Sequence, residues 1–363
     1  MTTTVPHPST RVPLRDRLLR LAGAVTTPLL PDDYLDLVAP LRAGADLRGR
    51  IVAVRPETRD AATLVIRPGR DWRGHTPGQY VRLGVDVDGV RQWRAYSLTS
   101  PPRPGNQQLT VTVKAIPDGK VSNHLVRRVR PGTIVQLDQA QGDFVLPATV
   151  PDRVLFVTAG SGITPVVGML RSGALAGADV VVAHSAPGPD DVIFGTELRD
   201  LAARGAVRLV ERHTDTDGLL DPAALGTLVP DHLDRQTWAC GPIGLLDALE
   251  AHWAAGGVAD RLHTERFRPT VIAPGEGGEV TFTRTGTTVS ADGATALLDA
   301  GEDAGVLMPS GCRMGICFGC VVPLRQGAVR DLRTGETTTA LPGDGVLIQT
   351  CVSAAAGPCD IDL

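Results

Sequence analysis

Between Arg50 and Leu146 short β-rich runs alternate with Gly/Pro turns: IVAVRPE, AATLVIRPG, QYVRLGVDV, QLTVTVKAI and GTIVQLDQA. Many short strands broken by turn residues predict an antiparallel β-barrel. From Arg153 to Phe267 the pattern changes, and apolar strands (RVLFVTAG, ADVVVAHSA, VRLVERHT, TWACG) alternate with helical segments. That alternation predicts a parallel sheet wound by helices. The stretch RPTVIAPGEGGE is turn-rich and predicts a linker. Beyond it, VTFTRTGTTVS predicts a hairpin and ATALLDAGEDAG a short helix, followed by a cluster of cysteines. Ahead of the barrel, Leu14, Leu18, Leu19 and Leu21 lie at helical spacing, predicting a helix over Arg11–Ala24. A second short helix is expected over Asp32–Leu41. The expected division is a helical leader 1–48, a barrel 49–148, an α/β domain 149–268, a linker 269–278 and a C-terminal domain 279–363.

Composition narrows the classes. With 363 residues, 42% of them hydrophobic, and 41 glycines, the chain reads as a turn-rich globular protein of two or three domains. Its formal net charge is −4 and it has no basic block, which argues against a nucleic-acid partner. Arginine carries nearly all the positive charge, because Lys114 and Lys120 are the only lysines, a bias that base composition explains as readily as function. No apolar run reaches the ~18 residues that a membrane-spanning helix needs. The first residues lack the apolar core of a signal peptide, so a cytoplasmic location is expected, peripheral to a membrane at most through a partner.

Three of the six cysteines crowd into residues 312–320, which favours a metal centre over a disulfide scaffold. Cys312, Cys317 and Cys320 follow C-x4-C-x2-C, with Cys351 thirty residues on, the plant-type [2Fe–2S] spacing. A tight loop with Gly311, Gly315 and Gly319 is expected to present three thiolates to one side of the cluster, and Cys351 to supply the last ligand to the second iron. Zinc is the alternative, but it favours paired C-x2-C knuckles or histidine partners, which do not occur here. Cys359 reads as structural or incidental.

RAYSLTS ends a β-run and suits a flavin: Arg94 for phosphate, Tyr96 against the ring, and Ser97 near its reactive edge. GKVSNHL starts a helix at Gly119, whose N-terminus beside Ser122 offers N–H groups to a pyrophosphate. Plain strand packing and an ordinary N-cap are the bland readings of these two strings. VLFVTAGSGITPVVGML is a strand, a glycine turn and a helix, in which Gly160 and Gly162 admit a pyrophosphate and Thr164 stands near the helix start. An ordinary tight turn is its bland reading. Cys240, Gly241 and Pro242 follow another strand, so both turns can line one crevice, where Cys240 would touch a nicotinamide without acting as a nucleophile.

Together RAYS, GKVSNHL, AGSGITP, ACGP and the cysteine loop resemble the ferredoxin–NADP reductase superfamily fused to a plant-type ferredoxin, from about Arg50 to Leu363. The resemblance implies a flavin-binding antiparallel barrel, a parallel α/β nucleotide-binding domain and a β-grasp [2Fe–2S] domain. It places Arg94, Tyr96 and Ser97 on the flavin, with Gly119, Val121 and Ser122 at its phosphates. Gly160, Gly162, Thr164, Cys240, Gly241 and Pro242 would meet the nicotinamide nucleotide, and Glu265 and Phe267 would border both cofactors. Ser97, Cys240 and Glu265 are thereby the candidates closest to the chemistry. The helix start favours FAD over FMN.

The coenzyme stays open. HSAPGPDD and HTDTDG are rich in aspartate, favouring NADH, while Ser185, Arg208 and Arg212 offer partners to the 2′-phosphate of NADPH. The implied activity is an NAD(P)H-dependent reductase in which flavin takes a hydride and iron–sulfur passes single electrons onward. The leader with PDDYLDLVAPLR resembles bacterial reductases serving membrane-bound acyl-CoA desaturases. An alkane hydroxylase, a Rieske oxygenase or a cytochrome P450 is the alternative acceptor, and a non-enzymatic iron–sulfur carrier or sensor the alternative class. The leader's leucines suit either docking to a membrane or partner, or packing on the barrel.

Overall fold

The computed structural model describes residues 38–363, apart from 103–107, 118, 268–273, 312, 316 and 317. The helix expected over Arg11–Ala24 and most of that over Asp32–Leu41 lie outside the described residues.

The first sheet contains β1 (Arg48–Thr58), β2 (Ala61–Pro68), β3 (Tyr80–Val87), β4 (Val90–Ser97), β5 (Leu109–Lys114) and β6 (Ile134–Leu137). Its order is β4-β3-β6-β1-β2-β5, with antiparallel pairing throughout. A bridge from Leu98 to Val111 joins the two edge strands, which closes the sheet into a barrel. Alternate residues point inward, and Ile51, Leu64, Ile66, Leu83, Val111 and Leu137 fill the interior. Asp88 and Gly89, both at positive φ, make the two-residue turn between β3 and β4.

The second sheet contains β7 (Arg153–Ala159), β8 (Asp179–Ala186), β9 (Arg208–His213), β10 (Gln236–Cys240) and β11 (Leu262–Glu265), in the order β11-β10-β7-β8-β9. All its pairings are parallel. Strand β7 reads as an unbroken apolar run because both faces are covered: Val154 and Phe156 pack on one side, Leu155 and Val157 on the other. From β7 the chain builds outward through β8 and β9, then returns to place β10 and β11 on the other side. The strand order therefore reverses between β7 and β10, and such switch points are where open α/β sheets bind ligands.

The barrel and this sheet share a core. Ala61 and Phe144 of the barrel region belong to the apolar cluster formed by Phe156, Val166, Met169 and Trp238. The Trp238 indole N–H donates to the Val145 carbonyl at 3.2 Å, and Arg171 donates to the Thr99 carbonyl at 2.6 Å while pairing with Glu197. Gly168 in the helix Ile163–Arg171 lies so close to the barrel that a Cβ there would sit 2.4 Å from the Leu98 carbonyl oxygen.

The third sheet contains β12 (Gly278–Phe282), β13 (Thr287–Ala291), β14 (Val321–Asp331), β15 (Thr337–Ala340), β16 (Val346–Gln349) and β17 (Ser353–Ile361). Its order is β13-β12-β17-β14-β15, with β16 also on β14. The β12–β17 pair is parallel, whereas the hairpin β12–β13 is antiparallel as expected. The helix Leu297–Asp303 crosses the sheet and buries Leu297 and Leu298 against Phe282, Val322 and Ile361. This mixed sheet with a crossing helix is the β-grasp arrangement. Cys359 is buried in its core, paired with Val280 across β12 and β17. Among the described residues no helix is long and apolar enough to cross a membrane.

Candidate active site

A cavity of about 640 Å³ lies where the three sheets meet. That size falls within the ~300–1,000 Å³ usual for cofactor sites. The barrel contributes Arg94, Tyr96 and Ser97 from the end of β4, with Tyr80 beside them. Register pairs Tyr80 with Ser97 and Val81 with Tyr96, so the two ends of that hairpin present their side chains together. The Ser97 hydroxyl is buried and has no hydrogen-bond partner among the described residues. A buried hydroxyl without a partner is costly, so it marks a place for a ligand atom. Burial, then the neighbouring Arg313, lowers the Arg94 guanidinium to about 10. Burial pushes the Tyr96 phenol up, so it stays neutral.

The cavity is also bordered by the start of the helix Lys120–Arg127, which is entered through Gly119 without any side-chain cap. Its first N–H groups have no intrahelical acceptor. Ser122 does not cap the helix: its hydroxyl donates to the Gly119 carbonyl at 3.2 Å and accepts from the Ile116 N–H at 3.3 Å. Gly119, Val121, Ser122, Lys114 and Lys120 all line the cavity. The only two lysines of the chain therefore stand at this site. Lys114 is held by Asp60 at 2.7 Å.

From the second sheet come Ser161, Thr164, Glu265 and Phe267. Gly160 takes φ +54°, and with Ser161 and Gly162 forms a short 3₁₀ turn leading into the helix Ile163–Arg171. Glu265 ends β11, in register with Cys240. One of its carboxylate oxygens is buried with no partner among the described residues, and burial raises the group to about 8. Cys240 is fully buried and does not line the cavity, and burial, reinforced by Glu265, keeps its thiol protonated. Gly160, Gly162, Gly241 and Pro242 do not line this cavity either: Gly162 packs on the Cys240 carbonyl and Gly241 on Ala159, joining the two turns, while Pro242 is exposed.

That joint makes a sharp prediction. A Cβ at Gly162 would sit 1.9 Å from the Cys240 carbonyl oxygen, whereas one at Gly160 would meet nothing within 4 Å. Gly162→Ala is expected to lower unfolding stability by about 3 kcal/mol, since backbone cannot move aside. Gly160→Ala pays only the positive-φ cost of about 1 kcal/mol. Denaturant midpoints of the two variants check this order.

The third sheet contributes Thr295, Leu298, Asp299, Arg313, Met314, Leu332 and Cys351. Sequence reasoning assigned only Cys351 of these to a site; a domain-packing contribution leaves no local motif. Cys312 and Cys317 lie outside the described residues. Cys320 and Cys351 are both buried, with their Sγ atoms 3.2 Å apart. That is too far for a disulfide and suits two thiolate ligands of one centre. Cys320 thus stands beside Cys351. The loop is braced by groups the sequence did not advertise. Arg333 and Gln349 both donate to the Gly315 carbonyl, at 3.2 and 3.0 Å, and Thr350 donates to the Cys320 carbonyl. Gly315 takes φ +74° and has no room for a Cβ beside Arg333.

These residues fit a flavin and an iron–sulfur cluster side by side. Residues 56–146 match the oxidoreductase FAD-binding domain and residues 280–356 the 2Fe-2S iron-sulfur cluster binding domain. The chain belongs to the ferredoxin-reductase family of FAD-dependent oxidoreductases that carry a C-terminal [2Fe–2S] domain. It is 53% identical over 353 residues to an NADPH oxidoreductase of Mycobacterium tuberculosis, covering 95% of this chain and 92% of that protein. It is 33% identical over 307 residues to the ferredoxin reductase component of 3-ketosteroid-9-alpha-monooxygenase from Mycolicibacterium smegmatis, covering 77% and 86%. Phthalate dioxygenase reductase shares the fold at TM-score 0.60 and 22% identity, covering 87% of this chain and 97% of that one.

Proposed function

We propose that this chain takes reducing equivalents from NADPH and delivers them singly, through FAD and a [2Fe–2S] cluster, to an oxygenase-class partner. The observation that carries the reading is that one cavity is lined both by Tyr96 and Ser97 and by Cys351. Flavin chemistry supplies the change from two-electron to one-electron transfer when the cofactor is bound. The protein's part is placement. Tyr96 would cover the ring, the Ser97 hydroxyl would donate to its polar edge, and Arg94 with the helix start at Gly119 would hold the phosphates. Glu265, neutral below about pH 8, would donate from the nicotinamide side. Cys312, Cys317, Cys320 and Cys351 would ligate the cluster, keeping it within contact range of the flavin cavity.

For the coenzyme, Ser185 and Arg212 are register partners at the carboxyl ends of β8 and β9. The Arg212 Nε donates to the carbonyls of Gly218 and Leu219, both at 3.1 Å, which fixes its guanidinium at that edge. This pair, and the name of the 53% identical relative, favour NADPH over NADH. For the acceptor, the resemblance of the leader favours a membrane-bound acyl-CoA desaturase. The monooxygenase reductase among the relatives favours the second reading, an alkane hydroxylase, Rieske oxygenase or cytochrome P450. A cytoplasmic protein, peripheral to a membrane through its partner, accords with either.

The test is an anaerobic titration of the purified protein with NADPH and, separately, NADH. Bleaching of both flavin and iron–sulfur bands, at lower NADPH than NADH, is the expected result. Bands that neither nucleotide bleaches would leave an electron carrier or sensor instead.

A further inference from the structure

Arg313, immediately after Cys312 in the cluster loop, lines the cavity from the third sheet. Its backbone takes φ +59°, a conformation uncommon for arginine, so the loop presents this side chain in one direction at some cost. Two carboxylates on the helix Leu297–Asp303 fix the guanidinium: Asp299 accepts at 2.7 Å, and Glu302 accepts from the other terminal nitrogen. The Nε–H remains. It is buried and has no acceptor among the described residues. Arg94, reaching from the barrel, lines the same cavity.

Asp299 and Glu302 already balance the charge of Arg313, so the unmet N–H, more than charge repulsion, calls for an acceptor. A buried guanidinium N–H without an acceptor is itself costly. An acceptor oxygen inside the cavity, which Arg94 also borders, would meet that need. The flavin nucleotide brings phosphate oxygens to this cavity, and guanidinium–phosphate contacts are among the stronger charge-assisted hydrogen bonds.

We propose that Arg313 is a flavin-binding residue supplied by the iron–sulfur domain, its Nε–H donating to a phosphate oxygen of FAD opposite Arg94. The assignment rests on the FAD reading above and deepens it: the flavin site is complete only when the third domain is in place. Because Arg313 adjoins a cluster ligand, flavin occupancy and cluster-loop order become thermodynamically linked.

The test compares wild-type holoprotein with Arg313→Gln, measuring flavin release on dilution by the gain in flavin fluorescence. The measurement is made with FAD, then with FMN and riboflavin exchanged into the site. Expected is about a tenfold rise in Kd for FAD and FMN, the scale of one charged hydrogen bond, with riboflavin unchanged because it has no phosphate. The iron–sulfur EPR signal should stay at wild-type intensity. Should the glutamine variant lose its cluster, Arg313→Lys keeps the charge and carries the same comparison, expected at a smaller loss. An FAD Kd within twofold of wild type overturns the proposal, as does an equal loss for riboflavin. A wild-type protein that holds no FAD overturns the functional reading as well, so the two failures are told apart.

Discussion

Replacing Cys351 by serine is expected to abolish one-electron delivery while leaving two-electron flavin chemistry in place. Cys351 is buried, lies 3.2 Å from Cys320 and borders the flavin cavity. A serine hydroxyl is a harder donor and, being far less acidic than a thiol, does not ionise readily, so the cluster should be lost or held weakly. Reduction of cytochrome c should fall by about a hundredfold or more, given what disturbing even outer-shell partners of a metal costs. Ferricyanide reduction, which draws directly on the flavin, should stay within about twofold when FAD is kept in excess, because Tyr96 and Ser97 belong to another sheet and saturation offsets any loosening beside Arg313. Equal loss with both acceptors at saturating FAD would mean that the cluster does not relay the electrons. The EPR signal of the dithionite-reduced protein provides the independent count of clusters.

Glu265→Gln is expected to remove most of a pH dependence of stability. Burial raises this carboxyl from 4.5 to about 8 in the folded protein, and one of its oxygens has no partner among the described residues. Between those two values the folded state holds a proton that the unfolded state has released. Stability therefore falls as pH rises across that window, by at most about 1.4 kcal/mol per unit, and the loss is complete above the folded value. Glutamine cannot ionise, so the variant should melt near wild type at pH 5 and well above it at pH 8.5. Thermal melts of flavin-free protein at a series of pH values read this directly. Parallel curves for the two proteins would show that Glu265 ionises freely and that water or another group solvates it.

The sequence conveyed most of the barrel and the nucleotide sheet because their strands are apolar runs bounded by turn residues. The first half of β4 was obscured by VRQWR, which is polar, although Asp88–Gly89 before it carries a strong hairpin signal. β11 is four residues, Leu-His-Thr-Glu, of which no periodicity can be read. β14 carries Pro323 and irregular register, features that mask a strand. At the site, motifs exposed what lies within one segment: Arg94 to Ser97, the helix start, and the cysteine spacing. They could not expose Thr295, Asp299, Arg313 or Leu332, which reach the cavity only because the third domain packs there. Nor could they show that Cys240 ends up behind the cavity wall instead of on it. The two lysines in an arginine-rich chain were the overlooked signal, since both prove to line the cavity.

The apolar cluster running from Ala61 and Phe144 through Trp238 has a bearing on how such chains can be recombined. A chimaera joined near residue 148 would separate Trp238 from the Val145 carbonyl, Arg171 from Thr99, and Gly168 from the backbone it touches. Each half would then carry a surface shaped for a neighbour it no longer has. The barrel and the nucleotide sheet are thus one heritable block, to be exchanged whole. The natural splice lies further on, ahead of Gly278, where the third sheet begins with a core of its own. A library that shuffles ferredoxin modules at that seam, matching only the few residues that reach the flavin cavity, is the one this architecture permits.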